Sequence, residues 1–501
     1  MRPITPFVSL LFGALLTSLS IAEEKKAPAI SEQKESVTRS SSVTIDGKKI
    51  EYTVTTSEMP LRNADGEETA HIFHIAYTKK GVTDYSERPV LFAFNGGPGS
   101  SSIWLHLGAL GPKIIPSSEN GTAPLTPPIT VKQNPYSILD VADLVFIDPV
   151  STGLSRATDQ EKEKNFHGVQ KDLDSMANFL RLWVTKNKRW SSPKYILGES
   201  YGALRAAGLS EKVEQRYGMQ LNGVILLSGL LDYRTISPSQ GNDLAYISFL
   251  PSLTATAHFH EKIKGDRDSL VNEAKEWAAS DYRSALHQGH TLDPQTKQTT
   301  AQKLSYFTGL PTDWIIKNHL RIPSFKFRKE LLRDENKTLG RFDGRIAWES
   351  FDSSTEYPSY DPSYSVVYGP ISTAMLDYLG TNLGWKDERV YEILTGKVHP
   401  WDWDATNEYV NLSESLANAL KHNPKLRVLI QCGYTDLATP PSGILYSVDH
   451  MLLPQTLRKN ISIAWYDAGH MFYLNQPDLI KMRKDLVDFI TASKDPNTSS
   501  H

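Results

Sequence analysis

Continuous apolar runs alternate with amphipathic stretches through the first half of the chain, a rhythm that predicts a parallel sheet wrapped in helices. Val90-Leu91-Phe92-Ala93-Phe94, Asp143-Leu144-Val145-Phe146-Ile147, Tyr195-Ile196-Leu197 and Val224 to Leu227 are nearly or wholly apolar. Runs of this kind fit strands buried on both faces. Asn165 to Lys186, between two of them, has helical spacing. The order strand, helix, strand, helix, strand specifies a mostly parallel sheet with helices on both sides. Ahead of it, Lys48 to Thr55 and Ala70 to Tyr77 read as an antiparallel pair at a sheet edge, separated by the turn signal Asn63-Ala64-Asp65-Gly66.

From about Asp232 to Glu408 the rhythm changes. Helical stretches such as Leu270 to His287 and Thr300 to Phe307 alternate with loops rich in Pro, Tyr and Ser, and no buried strand stands out. This stretch reads as a largely helical insertion, or cap, over the C-terminal edge of the sheet, where open α/β folds bind ligands; a separate second domain is the alternative. Strand pattern resumes at Arg427 to Gln431 and Ile461 to Trp465, and a helix from Gln476 to Ser493 closes the fold. The expected organisation is a signal peptide over 1–22, a disordered linker over 23–42, an α/β core over 43–231 and 411–493, the insertion over 232–410, and a polar tail over 494–501.

Composition and short motifs add to this picture. At 501 residues with a net charge of -3, the chain gives no electrostatic case for a nucleic-acid partner. Arg2, the apolar run Phe7 to Leu19 and the small residues before Glu23 read as a cleaved secretory signal, so no stable membrane insertion is expected after its removal. Cys432 is the only cysteine, which excludes an internal disulfide and suits a bacterial periplasm or exterior; at the end of an apolar strand it reads as an inert core thiol. Asn-x-Ser/Thr matches begin at Asn120, Asn336, Asn411, Asn460 and Asn497 and matter only in a eukaryotic source.

The candidate chemistry centres on Gly198-Glu199-Ser200-Tyr201-Gly202, a Gly-x-Ser-x-Gly pattern between a strand and a helix-forming stretch. The pattern is that of a nucleophile elbow, in which the glycines allow a turn tight enough to present the serine hydroxyl at the sheet edge. Serine needs a base and an orienting carboxylate, here in the chain order Ser, Asp, His. Asp436 and His470 each sit in a glycine-containing loop just past a strand end, whereas Asp467 lies too close to His470 along the chain. Asn95-Gly96-Gly97-Pro98-Gly99, also after a strand, can supply one oxyanion donor, and the backbone N–H of Tyr201 the other.

These segments, with Ser100-Ser101-Ser102, Asp148-Pro149-Val150-Ser151-Thr152-Gly153-Leu154-Ser155 and Gly469-His470-Met471 followed by Gln476-Pro477, resemble the serine carboxypeptidases of peptidase family S10 over roughly Lys48 to Phe489. The resemblance implies an α/β-hydrolase fold with a helical insertion, no metal or other cofactor, and release of C-terminal amino acids from peptides through an acyl-enzyme. It implies Ser200, Asp436 and His470 as the triad, Gly97 and Tyr201 as oxyanion donors, and Asn95, Gly96 and Glu199 as binders of the substrate's terminal carboxylate.

A carboxylate bonds another carboxylate only if one of them keeps a proton, and in this family a partner glutamate before Gly-Pro helps to keep it. That position here is Ala109, Ser100 replaces a family cysteine, and Ala203-Leu204-Arg205 replaces a small residue and histidine. Either Glu199 keeps its role with a less acidic pH optimum, or a cation such as Arg205 or Arg156 assists; an ordinary surface ion pair is the alternative for both arginines. Trp401-Asp402-Trp403 reads as pocket lining, core packing or a loop anchor. An esterase or acyltransferase with the same triad is the competing function, and a non-catalytic binding protein a more remote one. Oligomeric state is not legible.

Overall fold

A computed structural model describes residues 34–492. Its central sheet contains β1 (Val37–Ile45), β2 (Lys48–Arg62), β3 (Glu68–Lys79), β4 (Val90–Phe94), β5 (Asp143–Ile147), β6 (Lys194–Glu199), β7 (Gly223–Leu227), β8 (Arg427–Gly433) and β9 (Ile461–Tyr466). The spatial order is β1-β2-β3-β5-β4-β6-β7-β8-β9, with short Arg156–Ala157 added beside β3. Pairing is antiparallel from β1 to β5 and parallel from β5 onward. This is an α/β-hydrolase fold. The chain steps outward from β4 to β5 and then back past β4 to β6, so the loops after β4 and β6 emerge side by side, at the kind of switch point where open sheets bind ligands.

The apolar runs serve two cores at once. In β4, Leu91 and Ala93 join one cluster while Val90, Phe92 and Phe94 join the other across the sheet. The same alternation in β5 divides Leu144 and Phe146 from Val145 and Ile147. Helices α1 (Val169–Lys186) and α2 (Tyr201–Tyr217) pack on the second face, and the closing helix Gln476–Ala492 packs on the first. Between β7 and β8 the chain forms a series of helices with a third core around Phe249, Leu253, Leu304 and Phe307, plus a small hairpin, Lys337–Leu339 with Ala347–Glu349.

The N-terminal edge departs from expectation. Val37 to Ser42, assigned to the linker, are part of β1 and pair with Glu51 to Thr56 of β2. Their side chains are mostly exposed, as befits an edge strand carrying Ser and Thr rather than an apolar run. β2 likewise runs on past Thr55 through Thr56, Ser57 and Glu58, all buried. The polarity of Ser57 and Glu58 is met by Ser36, whose Oγ lies 2.7 Å from that of Ser57, and by Arg389, which bonds Glu58. The signal peptide read over 1–22, the linker up to residue 33 and the tail over 494–501 lie outside the described residues. Among the described residues no helix is long and apolar enough to cross a membrane.

Candidate active site

The elbow between β6 and α2 depends on three close approaches of bare backbone. A Cβ on Gly198 would stand 1.8 Å from the Gly202 carbonyl oxygen, and one on Gly202 would stand 2.7 Å from that of Phe94. A Cβ on Gly96 would meet the Tyr201 nitrogen at 2.5 Å, so the loop after β4 lies directly against the elbow. Ser200 pays for this turn with φ 62° and ψ −126°, a strained region for a residue with a side chain. Its N–H donates to Leu227 of β7 at 3.0 Å, which fixes the turn to the neighbouring strand.

His470 follows β9 and is 2% exposed; Asp436 follows β8 and is fully buried. His470 Nδ1 lies 2.8 Å from Asp436 Oδ2. With Nδ1 bonded to the carboxylate, Nε2 is the nitrogen left for the serine. The other carboxylate oxygen accepts the N–H groups of Ala438 and Thr439 at 2.8 and 2.9 Å, fixing the acid's orientation. Burial presses the imidazolium downward, but the charge and hydrogen bond of Asp436 prevail and hold the His470 pKa above its ordinary value.

Sequence reasoning missed two supports of this pair. Thr439 Oγ1 stands 2.9 Å from His470 Nδ1, 2.8 Å from Asp436 Oδ2 and 2.7 Å from the Ser228 carbonyl oxygen. Its place three residues after Asp436 was the available signal. Phe342, from the segment between β7 and β8, stacks its ring on His470 at 5.2 Å and accepts the His470 N–H through its carbonyl at 2.5 Å. Nothing in the sequence pairs residues so far apart.

The loop after β4 carries Asn95, Gly96 and Gly97, the last at φ 107°. Ser102 underpins it, accepting the Asn95 N–H at 3.4 Å while its own N–H donates to Asp148 at 2.9 Å. The Asp148–Ser155 segment thus buttresses the loop from behind. From the front, Thr395 donates its N–H to Gly99 at 3.0 Å. Ser100, in the place of the family's cysteine, is buried and accepts the Trp104 indole N–H at 2.9 Å.

Glu199, one residue before the nucleophile, is 3% exposed. Tyr473 donates its hydroxyl to Glu199 Oε2 at 2.9 Å, and Asn95 also bonds the carboxyl. Burial outweighs these bonds and the charge of His470, raising the Glu199 pKa to about 7. Asn95, Gly96, Gly97, Glu199, Ser200, Tyr201 and His470 line one cleft of about 520 Å3, with Asp436 behind His470. Trp104, Tyr233, Tyr364 and Trp403 give the cleft aromatic walls, and Arg341 adds a cation.

The arginines considered from sequence do not reach this cleft. Arg205 is 1% exposed, bonded to Asp172 at 2.7 Å and to the Asn95 carbonyl at 2.7 Å, so its ion pair is buried rather than superficial. Helix α2 turns its residue 205 inward, beneath the elbow, where the guanidinium also covers the rings of Phe94 and Tyr201. Arg156 spends its guanidinium on the carbonyls of Gly153, Ser155 and Val390. The Trp401-Asp402-Trp403 stretch divides its labour: Trp401 packs edge-on against Tyr201 at 5.6 Å, Asp402 bonds exposed Lys171, and Trp403 lines the cleft. Asp467 is exposed and paired with Arg267 at 2.6 Å, and Cys432 is buried, its thiol pKa pushed up by burial. Among the described residues no group of three or more His, Cys, Asp or Glu side chains gathers as a metal ion requires.

Residues 61–472 match the family model described as serine carboxypeptidase. The chain belongs to the serine carboxypeptidase family. Serine carboxypeptidase-like 13 of Arabidopsis thaliana is 28% identical over 314 residues, covering 60% of this chain and 67% of that protein. Serine carboxypeptidase-like 5 of the same plant is 34% identical over 142 residues, or 28% of this chain and 30% of the relative. The lysosomal protective protein of Mus musculus is 27% identical over 183 residues, 36% of this chain and 35% of the relative. The match thus spans about a third of two of these relatives. Among solved structures, Kex1Δp, a prohormone-processing carboxypeptidase from Saccharomyces cerevisiae, aligns over 88% of this chain and 91% of its own, with 17% identity and a TM-score of 0.58, a likeness of fold.

Proposed function

We propose that this family member is an exported serine carboxypeptidase that releases C-terminal amino acids from peptides. The observation that carries the reading is the meeting, in one cleft, of an elbow serine, a carboxylate-bound histidine and a buried carboxyl whose pKa lies near neutrality. Ser200 Oγ attacks the scissile carbonyl carbon as its proton passes to His470 Nε2, and Asp436 stabilises the imidazolium that forms. The N–H groups of Gly97 and Tyr201 receive the developing oxyanion. His470 then returns the proton to the leaving amine; the C–N bond breaks, the terminal amino acid departs, and an acyl ester remains on Ser200. Water, deprotonated by His470, adds to that ester; the acyl C–Oγ bond then breaks, His470 returns the proton to Ser200 Oγ, and the acid product leaves.

The terminal carboxylate is the feature that separates this chemistry from other hydrolysis on the fold. Protonated Glu199 donates to it, with Asn95 and the Gly96 backbone beside it. A peptide pool followed by mass spectrometry tests the reading. Stepwise loss of single residues from the C-terminus is expected, and internal cleavage would point instead to another use of the triad. An ester-only activity would favour the esterase or acyltransferase alternative. For export, the expectation is a bacterial protein collected outside the cytoplasm with its N-terminus near Glu23; recovery of the intact chain from the cytoplasm would count against it.

A further inference from the structure

Ala109, where the family resemblance puts a partner glutamate, is a buried residue of the turn His106–Leu110. A hydroxyl donor to Glu199 is supplied by Tyr473. Tyr473 lies in the turn Phe472–Leu474, three residues beyond His470; it is 1% exposed and places its hydroxyl 2.9 Å from Glu199 Oε2. Its ring rests on Gly108, where a Cβ would stand 2.9 Å from the ring carbon Cε2. Gly108 thus makes room for the Tyr473 ring.

We infer that Tyr473 is a positioning residue that prepares Glu199 for a substrate's terminal carboxylate, so that the free C-terminus is recognised through a single titratable proton, Glu199's own. The inference rests on the carboxypeptidase reading above. A phenol differs from a second carboxylic acid in one respect that matters here. Burial and the nearby Glu199 charge push the Tyr473 hydroxyl well above its ordinary pKa, so it donates at every working pH and never takes the proton. It therefore ties down Oε2 and leaves the other oxygen to carry the proton toward the ligand. Two carboxylic acids could pass one proton between them; an acid and a phenol cannot.

The other groups facing Glu199 are Asn95 from the loop after β4, His470 from the loop after β9, and Asp436 from the loop after β8. His470 and the hydrogen bonds of Tyr473 and Asn95 favour the ionised carboxyl, whereas burial and Asp436 favour the neutral one. Removing the Tyr473 hydroxyl takes away support for the ionised form. Glu199 should then hold its proton to higher pH while losing its fixed orientation.

The test compares kcat/KM against pH for an N-blocked dipeptide acid and for the matching methyl ester, which has no terminal carboxylate. In Tyr473→Phe, the alkaline limb for the free acid should move up by roughly one pH unit. KM at low pH should rise roughly tenfold with kcat changed far less. The methyl-ester profile should not shift. In Glu199→Gln, whose amide is a permanent donor, the limb should disappear, and adding Tyr473→Phe should move nothing further. An unmoved limb in Tyr473→Phe, an equal shift on acid and ester, or a limb that persists in Glu199→Gln would overturn the inference while leaving the carboxypeptidase reading in place. Should the unmodified protein release no amino acid from the free acid, that reading falls, and the inference falls with it.

Discussion

In the proposed mechanism Ser200 acquires its reactivity from neighbours that hold it, not from its own chemistry. The Asp436–His470 bond selects the tautomer with an unprotonated Nε2, the form the proposed base needs. Asp436→Asn should therefore keep the fold and lower kcat by about 10⁴-fold, measured on a small ester, as expected when the base is locked in the wrong tautomer. pH dependence follows from two groups with opposite requirements. His470 must be neutral, and its raised pKa means that kcat/KM on an ester climbs as pH passes above the ordinary histidine range and then levels. On the proposed reading Glu199 must be protonated to meet a terminal carboxylate, so activity on a free acid should be lost as pH rises through about 7. The free-acid profile should be a narrow bell near neutrality beside a plateau for the ester. Coincident profiles would show that Glu199 takes no part.

Elements carry these residues to their places, and two of them can be tested alone. Phe342 belongs to the segment between β7 and β8, yet its ring and carbonyl hold His470. Phe342→Ala should lower kcat about 10²-fold on ester and peptide alike, since a small misplacement of a reacting group costs that much. Helix α2 is fastened to α1 by the Arg205–Asp172 pair, with both side chains at most 3% exposed. Arg205→Ala leaves the carboxylate buried and unpaired, and urea unfolding should show a loss of about 3–5 kcal/mol. Legibility tracked burial at this scale. β4, β5, β6 and β7 were readable because strands covered on both faces leave few polar positions to confuse the pattern. β1 was not, because an exposed edge strand of Ser and Thr has the composition of a linker.

The whole molecule explains why the site was easier to read than its supports. The sheet's reversal at β4 and β6 brings the Asn95 loop against the elbow, and β8 and β9 deliver Asp436 and His470 beyond it. Each of those residues follows a strand and so announces itself in one dimension. Phe342 and Tyr473 matter only through partners that folding brings near and carry no local signature of that role, whereas Thr439 is marked only by its place three residues after Asp436. Stability has a whole-molecule origin as well, in apolar cores on both sheet faces and a third among the helices, with one buried cysteine. A thiol reductant should leave Tm unchanged, as scanning calorimetry would show. The central claim, recognition of a free C-terminus by a serine hydrolase, is tested most directly by amino-acid release from N-blocked dipeptides as free acids and as C-terminal amides. Rapid release from the acids, resistance of the amides near neutral pH and loss of release in Ser200→Ala are the expected results. Equal cleavage of acids and amides, or no cleavage of either while Ser200 still acylates with a small ester, would contradict it.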